Sequence, residues 1–204
     1  MHNKAAIITI ATFNRGKADE YGEMLKGINW SFRTLDDFPG LTEVPETAET
    51  FAGNAALKAV GYASATGTIT LADDSGLDVA ALGGRPGVLS ARYGGADLDF
   101  PGKIRLILDE LRSTGANDRR ARFVCEIAIA DATGAVIFTA RGECIGSIAP
   151  APCGTGGFGY DPIFIPQGFD STFGELSSLV KHQISHRARA FAQIIPFLCD
   201  NIAV

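Results

Sequence analysis

The sequence predicts an α/β protein built on a mixed β-sheet, and three observations carry that prediction. Residues 5–11 form a short, continuously apolar run that leads into a helix-periodic stretch. A second helix-periodic stretch, 51–65, leads into the β-branched run 68–72. Between residues 123 and 148 two strand-like segments meet at the turn Asp131-Ala132-Thr133-Gly134. Alternating strands and helices imply parallel pairing, whereas a tight turn between strands makes a hairpin. Together they specify a mixed sheet flanked by helices.

Each element has its own justification. The unbroken apolar character of residues 5–11 predicts a strand buried on both faces. A helix follows over 16–25, with Ala18, Tyr21, Met24 and Leu25 as its inner stripe. The helix over 51–65 begins after Thr50, a good N-cap residue. The next strand ends at Asp73-Asp74, and Gly83-Gly84-Arg85-Pro86-Gly87 makes a turn-rich passage into residues 88–93. Ile104, Ile107, Leu108 and Leu111 recur at helical spacing. Phe123, Cys125, Ile127 and Ile129 alternate as in a half-buried strand, and residues 135–148 form its partner. Pro150 and Pro152 break the chain before a glycine-rich segment. A last helix begins near Ser185 and is kinked or ended by Pro196.

The chain has 204 residues, enough for one large domain or two small lobes. Its 23 acidic and 18 basic residues leave a net charge of −5. That argues against a duplex nucleic-acid binder, which needs a basic face, but not against a nucleotide site served by a few lysines. Cys125, Cys144, Cys153 and Cys199 show no C-x-x-C spacing, so neither a zinc site nor a thioredoxin-like motif is indicated. Residues 5–11 are too few for a signal peptide, and no run approaches the ~20 apolar residues of a membrane span. The expectation is a reduced, cytoplasmic protein with no membrane partner.

Four constellations carry possible chemistry. In Ala72-Asp73-Asp74-Ser75-Gly76-Leu77, two adjacent carboxylates close a strand. Ligands of open α/β sheets bind beyond strand carboxyl ends. Two ionised carboxylates 4 Å apart repel by roughly 4 kcal/mol at an effective dielectric near 20. A cation, a shared proton or orientation to opposite faces must relieve them, and extended backbone favours opposite faces. The residues alone leave open a plain Asx-turn. Thr12-Phe13-Asn14-Arg15-Gly16-Lys17 joins a strand to a helix, so its amides and Lys17 could hold phosphate. It lacks Walker A spacing, and an ordinary turn capped by Asn14 fits as well.

Glu46 to Lys58 is an acidic loop opening a helix, with Asn54 and Lys58 on one face. Glu46 could share a cation with Asp74, and a solvated helix edge is the alternative. Gly154 to Gly159 matches G-x-G-x-x-G formally, but it follows proline-rich sequence and enters Tyr160-Asp161-Pro162, not a helix. Phe158 and Tyr160 could stack on a base there, or belong to the core. Lys181-His182-Gln183-Ile184-Ser185-His186-Arg187 gathers cations at the expected helix start, where they oppose the macrodipole.

In their order, these segments resemble the inosine triphosphate pyrophosphatase family, the RdgB-type dITP/XTP pyrophosphatases. The motifs carrying the resemblance are Thr12-x-Asn14-x-x-Lys17, Glu46-Thr47, Thr50-Phe51-x-x-Asn54-Ala55-x-x-Lys58, Ala72 to Leu77, Pro86-Gly87-Val88-x-Ser90-Ala91-Arg92-Tyr93, Gly157 to Pro162 and Ile184 to Arg187. The resemblance implies an elongated mixed sheet in two lobes around a substrate cleft, one catalytic domain spanning 1–204, and a homodimer. It implies Mg2+-dependent cleavage of ITP, dITP or XTP to monophosphate and pyrophosphate. Asp74 would accept the proton, assisted by Lys17 and Lys58, and Asp74 and Glu46 would hold the metal. Thr12, Phe13, Asn14, Arg15, Gly16 and Lys17 would hold the phosphates, with Asn54 and Ser75 also touching substrate. Phe158, Gly159, Tyr160, Asp161 and Lys181 would line the sugar and base site, and His186 and Arg187 would grip a 6-oxo purine. Phe13 and Ala48 stand where relatives carry glycine, which places the local backbone in question. A Maf-type pyrophosphatase acting on pyrimidine or modified nucleotides and a non-catalytic nucleotide sensor are the alternatives.

Overall fold

The structure, a computed structural model, describes residues 7–26 and 31–201. Its strands are β1 (Ile7–Ile10), β2 (Ser31–Thr34), β3 (Ile69–Val79), β4 (Arg120–Ala130), β5 (Val136–Ile148) and β6 (Phe164–Pro166). Its α-helices are α1 (Arg15–Met24), α2 (Phe51–Thr66), α3 (Phe100–Ser113), α4 (Ser178–Ile184) and α5 (His186–Asn201). The strands form one six-stranded sheet in the order β2-β1-β3-β4-β5-β6. β1 pairs in parallel with β2 and β3, and β5 pairs antiparallel with β6, so the sheet is mixed as the sequence predicts.

Two compact units divide the chain. The first runs to Asp74 and takes in Cys125–Gly142 and the chain from Ala188 onward; the second comprises Ser75–Val124 and Glu143–Arg187. In the first unit the period-2 alternation of strands sorts the core into two faces. Ile10, Leu71, Cys125, Ile127 and Ile129 pack with Tyr21 and Leu25 of the α1 segment and with Phe191, Ile194 and Leu198 of α5. Their neighbours Ala11, Ala72, Ala128 and Ala130 pack with Ala55, Ala59, Tyr62 and Ala63 of α2. The α2 face is therefore made of alanines on helix and strand alike, which permits a close approach. In the second unit α3 buries Ile104, Ile107, Leu108 and Leu111 with Leu77, Val79, Phe123 and Phe164.

Several expectations need correction. β3 does not end at the acid pair: it continues through Asp73 and Asp74 to Val79, because Leu77 and Val79 are fully buried and hold the extended chain in the second unit's core. β4 is not half-buried. Every residue from Phe123 to Ala130 is buried, since the intervening positions are small (Val124, Ala128, Ala130) or, at Glu126, ion-paired to Arg141. Of the two outcomes expected of Pro196, an end to α5 is excluded, since the residue sits inside the helix. The short helix α4 and the strands β2 and β6 were not anticipated. β2 carries one apolar residue among polar ones and β6 has only three residues, so neither shows a period. Of the first predicted strand, residues 5 and 6 lie outside the described residues. The helices over 51–65 and around Ile104 stand where expected, with Thr50 and Asp99 as N-caps accepting from Gly53 N and Gly102 N.

The alanine contact between α2 and the sheet leaves little room for a larger side chain. Ala59→Leu is expected to lower the urea midpoint by the equivalent of about 1–3 kcal/mol with an unchanged m-value, since overpacking strains a tight core.

Candidate active site

The extended backbone of β3 sends Asp73 and Asp74 to opposite faces of the sheet, and each face supplies a lysine. Asp73 lies on the α1 face, where Lys17 Nζ reaches its Oδ2 at 3.0 Å and its backbone carbonyl at 3.4 Å. The Cys125 thiol donates to the same Oδ2 at 3.7 Å. Asp74 lies on the α2 face. There Asn54 Nδ2 donates to Oδ2 at 3.1 Å and Lys58 Nζ lies 3.5 Å from Oδ1. Both carboxylates are almost wholly buried, at 2% and 6% exposure. Their mutual repulsion is thus relieved by separation and by two ammonium groups.

Helical spacing explains why one helix serves Asp74 twice. Asn54 and Lys58 are one turn apart on α2, as read from the sequence. Lys58 Nζ also contacts Glu46 Oε1 at 2.6 Å, so two carboxylates converge on one ammonium. Burial works against the charge on Lys58, but Asp74, Asp73 and Glu46 outweigh it and raise its affinity for the proton. Burial is also the largest influence on Asp74 and pushes its carboxyl above the ordinary carboxylate range, against the pull of Lys58 and Lys17. The loop before α2 closes tightly on the helix. Ala48 N donates to Asn54 Oδ1 at 2.9 Å, and a Cβ at Gly53 would stand 2.6 Å from the Ala48 methyl.

The loop between β1 and α1 combines both arrangements its residues left open. Asn14 caps α1 by accepting from Lys17 N, and Thr12 Oγ1 accepts from Asn14 N. Lys17 nevertheless turns its ammonium inward to Asp73 and is largely withdrawn from water. Arg15 and Gly16 occupy the first turn of α1. Phe13 is half exposed, its ring edge-on to Tyr62 at 6.1 Å. No non-glycine residue among those described has a positive φ, so Phe13 and Ala48 hold their loops without the conformation glycine alone tolerates.

A second cluster lies within the second unit. Arg187, at 1% exposure, donates from Nη2 to Ser75 Oγ at 2.8 Å, and its guanidinium lies 5.8 Å from the Phe158 ring centre. Lys181 pairs with Asp161 Oδ2 and stands over the Phe158 ring at 4.5 Å. The Phe158 amide donates to the same Oδ2 at 2.7 Å. Gly157, with φ +69°, lets the loop wrap on that carboxylate, since a Cβ there would lie 2.0 Å from it. His186 stacks on Phe123 with ring centres 4.8 Å apart. Gly159 backs onto Phe100.

Three placements differ from the sequence reading. Tyr160 is buried, edge-on to Phe100, with its hydroxyl donating to Ser90 O at 2.8 Å, so it belongs to the core and offers no face for stacking. Asn54 is 0% exposed, with its Oδ1 accepting from Ala48 N and its Nδ2 donating to Asp74 Oδ2, rather than presented on an open helix face. Lys181 and His182 fall in the last turn of α4, where cations suit the helix dipole; only His186 and Arg187 begin a helix. Asp73 was not among the expected site residues, although its place beside Asp74 was the signal. Its bond to Lys17 makes it part of the cluster.

The donor set bears on a metal. Among the described residues no group of three or more His, Cys, Asp or Glu side chains is arranged to hold one. Asp74 and Glu46 do direct oxygens at a shared cation, here the Lys58 ammonium. Two carboxylates without sulfur or imidazole suit magnesium, which keeps several waters and takes its remaining ligands from phosphates. The residues present therefore fit that ion.

The Ham1 family model spans residues 8–197, which include both clusters. The chain belongs to the Ham1 family. It is 47% identical over 190 residues to the dITP/XTP pyrophosphatase of a Nostoc species, covering 93% of each chain. A solved HAM1 protein from Coxiella burnetii superposes with a TM-score of 0.88 at 37% identity, over 96% of this chain and 99% of that one. The Mycobacterium abscessus nucleoside-triphosphatase / dITP/XTP pyrophosphatase superposes with a TM-score of 0.74 at 40% identity, over 94% and 99%. The resemblance read from the motifs is borne out, and the Maf-type alternative gives way to the Ham1 assignment.

In this Ham1 protein Lys17→Met withdraws an ammonium from a carboxylate that is 2% exposed. The expected loss, read by urea denaturation, is about 3 kcal/mol, the lower end for a broken buried pair because Lys17 keeps some contact with water.

Proposed function

We propose that the protein hydrolyses non-standard purine nucleoside triphosphates (dITP, ITP and XTP) to the monophosphate and pyrophosphate, clearing them from the nucleotide pool. The observation that carries this reading is Asp74. It is a buried carboxylate with one oxygen tethered by Asn54, the other turned toward Lys58, and a proton affinity raised by burial. A general base works best with its pKa near the operating pH, so the upward displacement suits proton transfer from water. In the proposed step Asp74 takes a proton from water as the water oxygen bonds to the α-phosphorus. The α–β anhydride bond breaks and pyrophosphate leaves.

The charges of the cluster bear on what else is needed. Glu46, Asp73 and Asp74 gather around Lys17 and Lys58, three carboxylates to two ammonium groups. A triphosphate adds several negative charges. Magnesium held by Asp74 and Glu46 would supply the missing positive charge when bound. Lys17 and Lys58 contribute fixed positive charge beside it, and the amides of Phe13, Arg15 and Gly16 suit phosphate oxygens, those of Thr12, Asn14 and Lys17 being engaged within the loop. Lys181 and Arg187 form a donor-rich group at the Phe158 ring, with His186 preceding Arg187 and stacked on Phe123. Donors of this kind suit a 6-oxo purine and leave unpaired groups against adenine's amino group, the kind of mismatch that discriminates strongly.

A cytoplasmic location and a homodimer complete the reading. No disulfide forms among the described residues, and no described helix is long and apolar enough to cross a membrane. Light scattering on the purified chain reads the oligomeric state.

Pyrophosphate release from a panel of triphosphates tests the activity. dITP, ITP and XTP are expected to turn over in a magnesium-dependent manner that EDTA abolishes, with ATP poorly used. Tight dITP binding without pyrophosphate release would make the chain a nucleotide sensor instead. Asp74→Asn is expected to keep its denaturation midpoint and lose about 10²–10⁴-fold in kcat. Undiminished turnover in that variant would place proton transfer elsewhere.

A further inference from the structure

Asn54 stands behind the carboxylate that the proposed reaction uses, and it is sealed from solvent. Its amide is oriented without ambiguity. The oxygen accepts from Ala48 N at 2.9 Å, so the nitrogen must be the donor that meets Asp74 Oδ2 at 3.1 Å. Oδ1 has no comparably short bond; its neighbour is Lys58 Nζ at 3.5 Å, an ammonium already drawn to Glu46 at 2.6 Å. The two oxygens of Asp74 are therefore not equivalent.

We infer that Asn54 is a positioning residue, which tethers Asp74 Oδ2 and so fixes Oδ1 toward Lys58 and Glu46, the side on which the metal and the attacking water would meet it. This inference rests on the reading of Asp74 as the base. Without the tether, the carboxylate is free to turn and pair more closely with Lys58, which would engage Oδ1 and misdirect its lone pairs. Asn54 simultaneously anchors Ala48, two residues after Glu46. One amide thus sets both the orientation of Asp74 and the approach of the Glu46 loop. A hydrophobic residue of the same size could fill the space but could do neither.

Steady-state kinetics of dITP hydrolysis with magnesium, on the full chain, test the assignment. Asn54→Ala is expected to lower kcat about 10²-fold with KM changed less than about threefold, as a misplaced catalytic group should. Asn54→Asp keeps the volume and the oxygen facing Ala48 N but replaces the donor with an oxygen that repels Asp74. It is expected to lose kcat in the same way, and urea denaturation of both variants separates this from loss of folded protein. Added to Asp74→Asn, Asn54→Ala is expected to slow the residual rate no further, because it acts through Asp74. Turnover of Asn54→Asp within threefold of the parent, or full additivity in the double variant, would overturn the inference. Undiminished turnover of Asp74→Asn would instead overturn the assignment of the base, whatever the Asn54 variants do.

Discussion

The alternation of β3 through Asp73 and Asp74 is the constraint on which the first unit's chemistry depends. Neighbouring residues on extended backbone face opposite ways, so two like charges that would repel by several kcal/mol on one side are divided between two helices. α1 answers Asp73 with Lys17, and α2 answers Asp74 with Lys58 and Asn54. The same alternation partitions the hydrophobic core. Leu71 belongs to the face covered by α1 and α5, and Ala72 to the face covered by α2. Register and electrostatics are therefore one decision. A one-residue slip of β3 would bury the wrong side chains and also bring each acid to the wrong lysine.

The alanine face of α2 has a functional consequence. Small residues on both helix and strand let the helix lie close, and Asn54 can then reach Asp74 directly. A bulky stripe would have held the amide out of hydrogen-bond range. Stability and site geometry here share the same atoms. The acidic cluster also differs from an ordinary buried ion pair, because its carboxylates outnumber its ammonium groups. It is poised to accept further positive charge.

The second unit solves a different problem, the burial of cations. Arg187 and Lys181 are almost wholly removed from solvent, and isolated charges there would be costly. Ser75 and Asp161 provide hydrogen-bonding partners, and the Phe158 ring faces both cations. Gly157 makes the Asp161 arrangement possible, since any side chain there would collide with the carboxylate.

Much of this was determined locally and was legible in the sequence. The Thr50 cap, the helical stripe of α3, the hairpin at Asp131–Gly134 and the i, i+4 relation of Asn54 to Lys58 follow from neighbours within a few residues. So does the family, because its motifs are contiguous. Tertiary structure alone decided which lysine meets which acid, that the Asn54 amide bonds Ala48 and Asp74, and that Tyr160 joins the core. It also decided that β3 runs on past its acids. Those outcomes depend on burial by residues tens of positions away: Leu77 and Val79 hold β3 extended through the core of the second unit, and Ala48 fixes the Asn54 amide from the preceding loop. Sequence periodicity reports which way a side chain can face; only packing reports what it meets there.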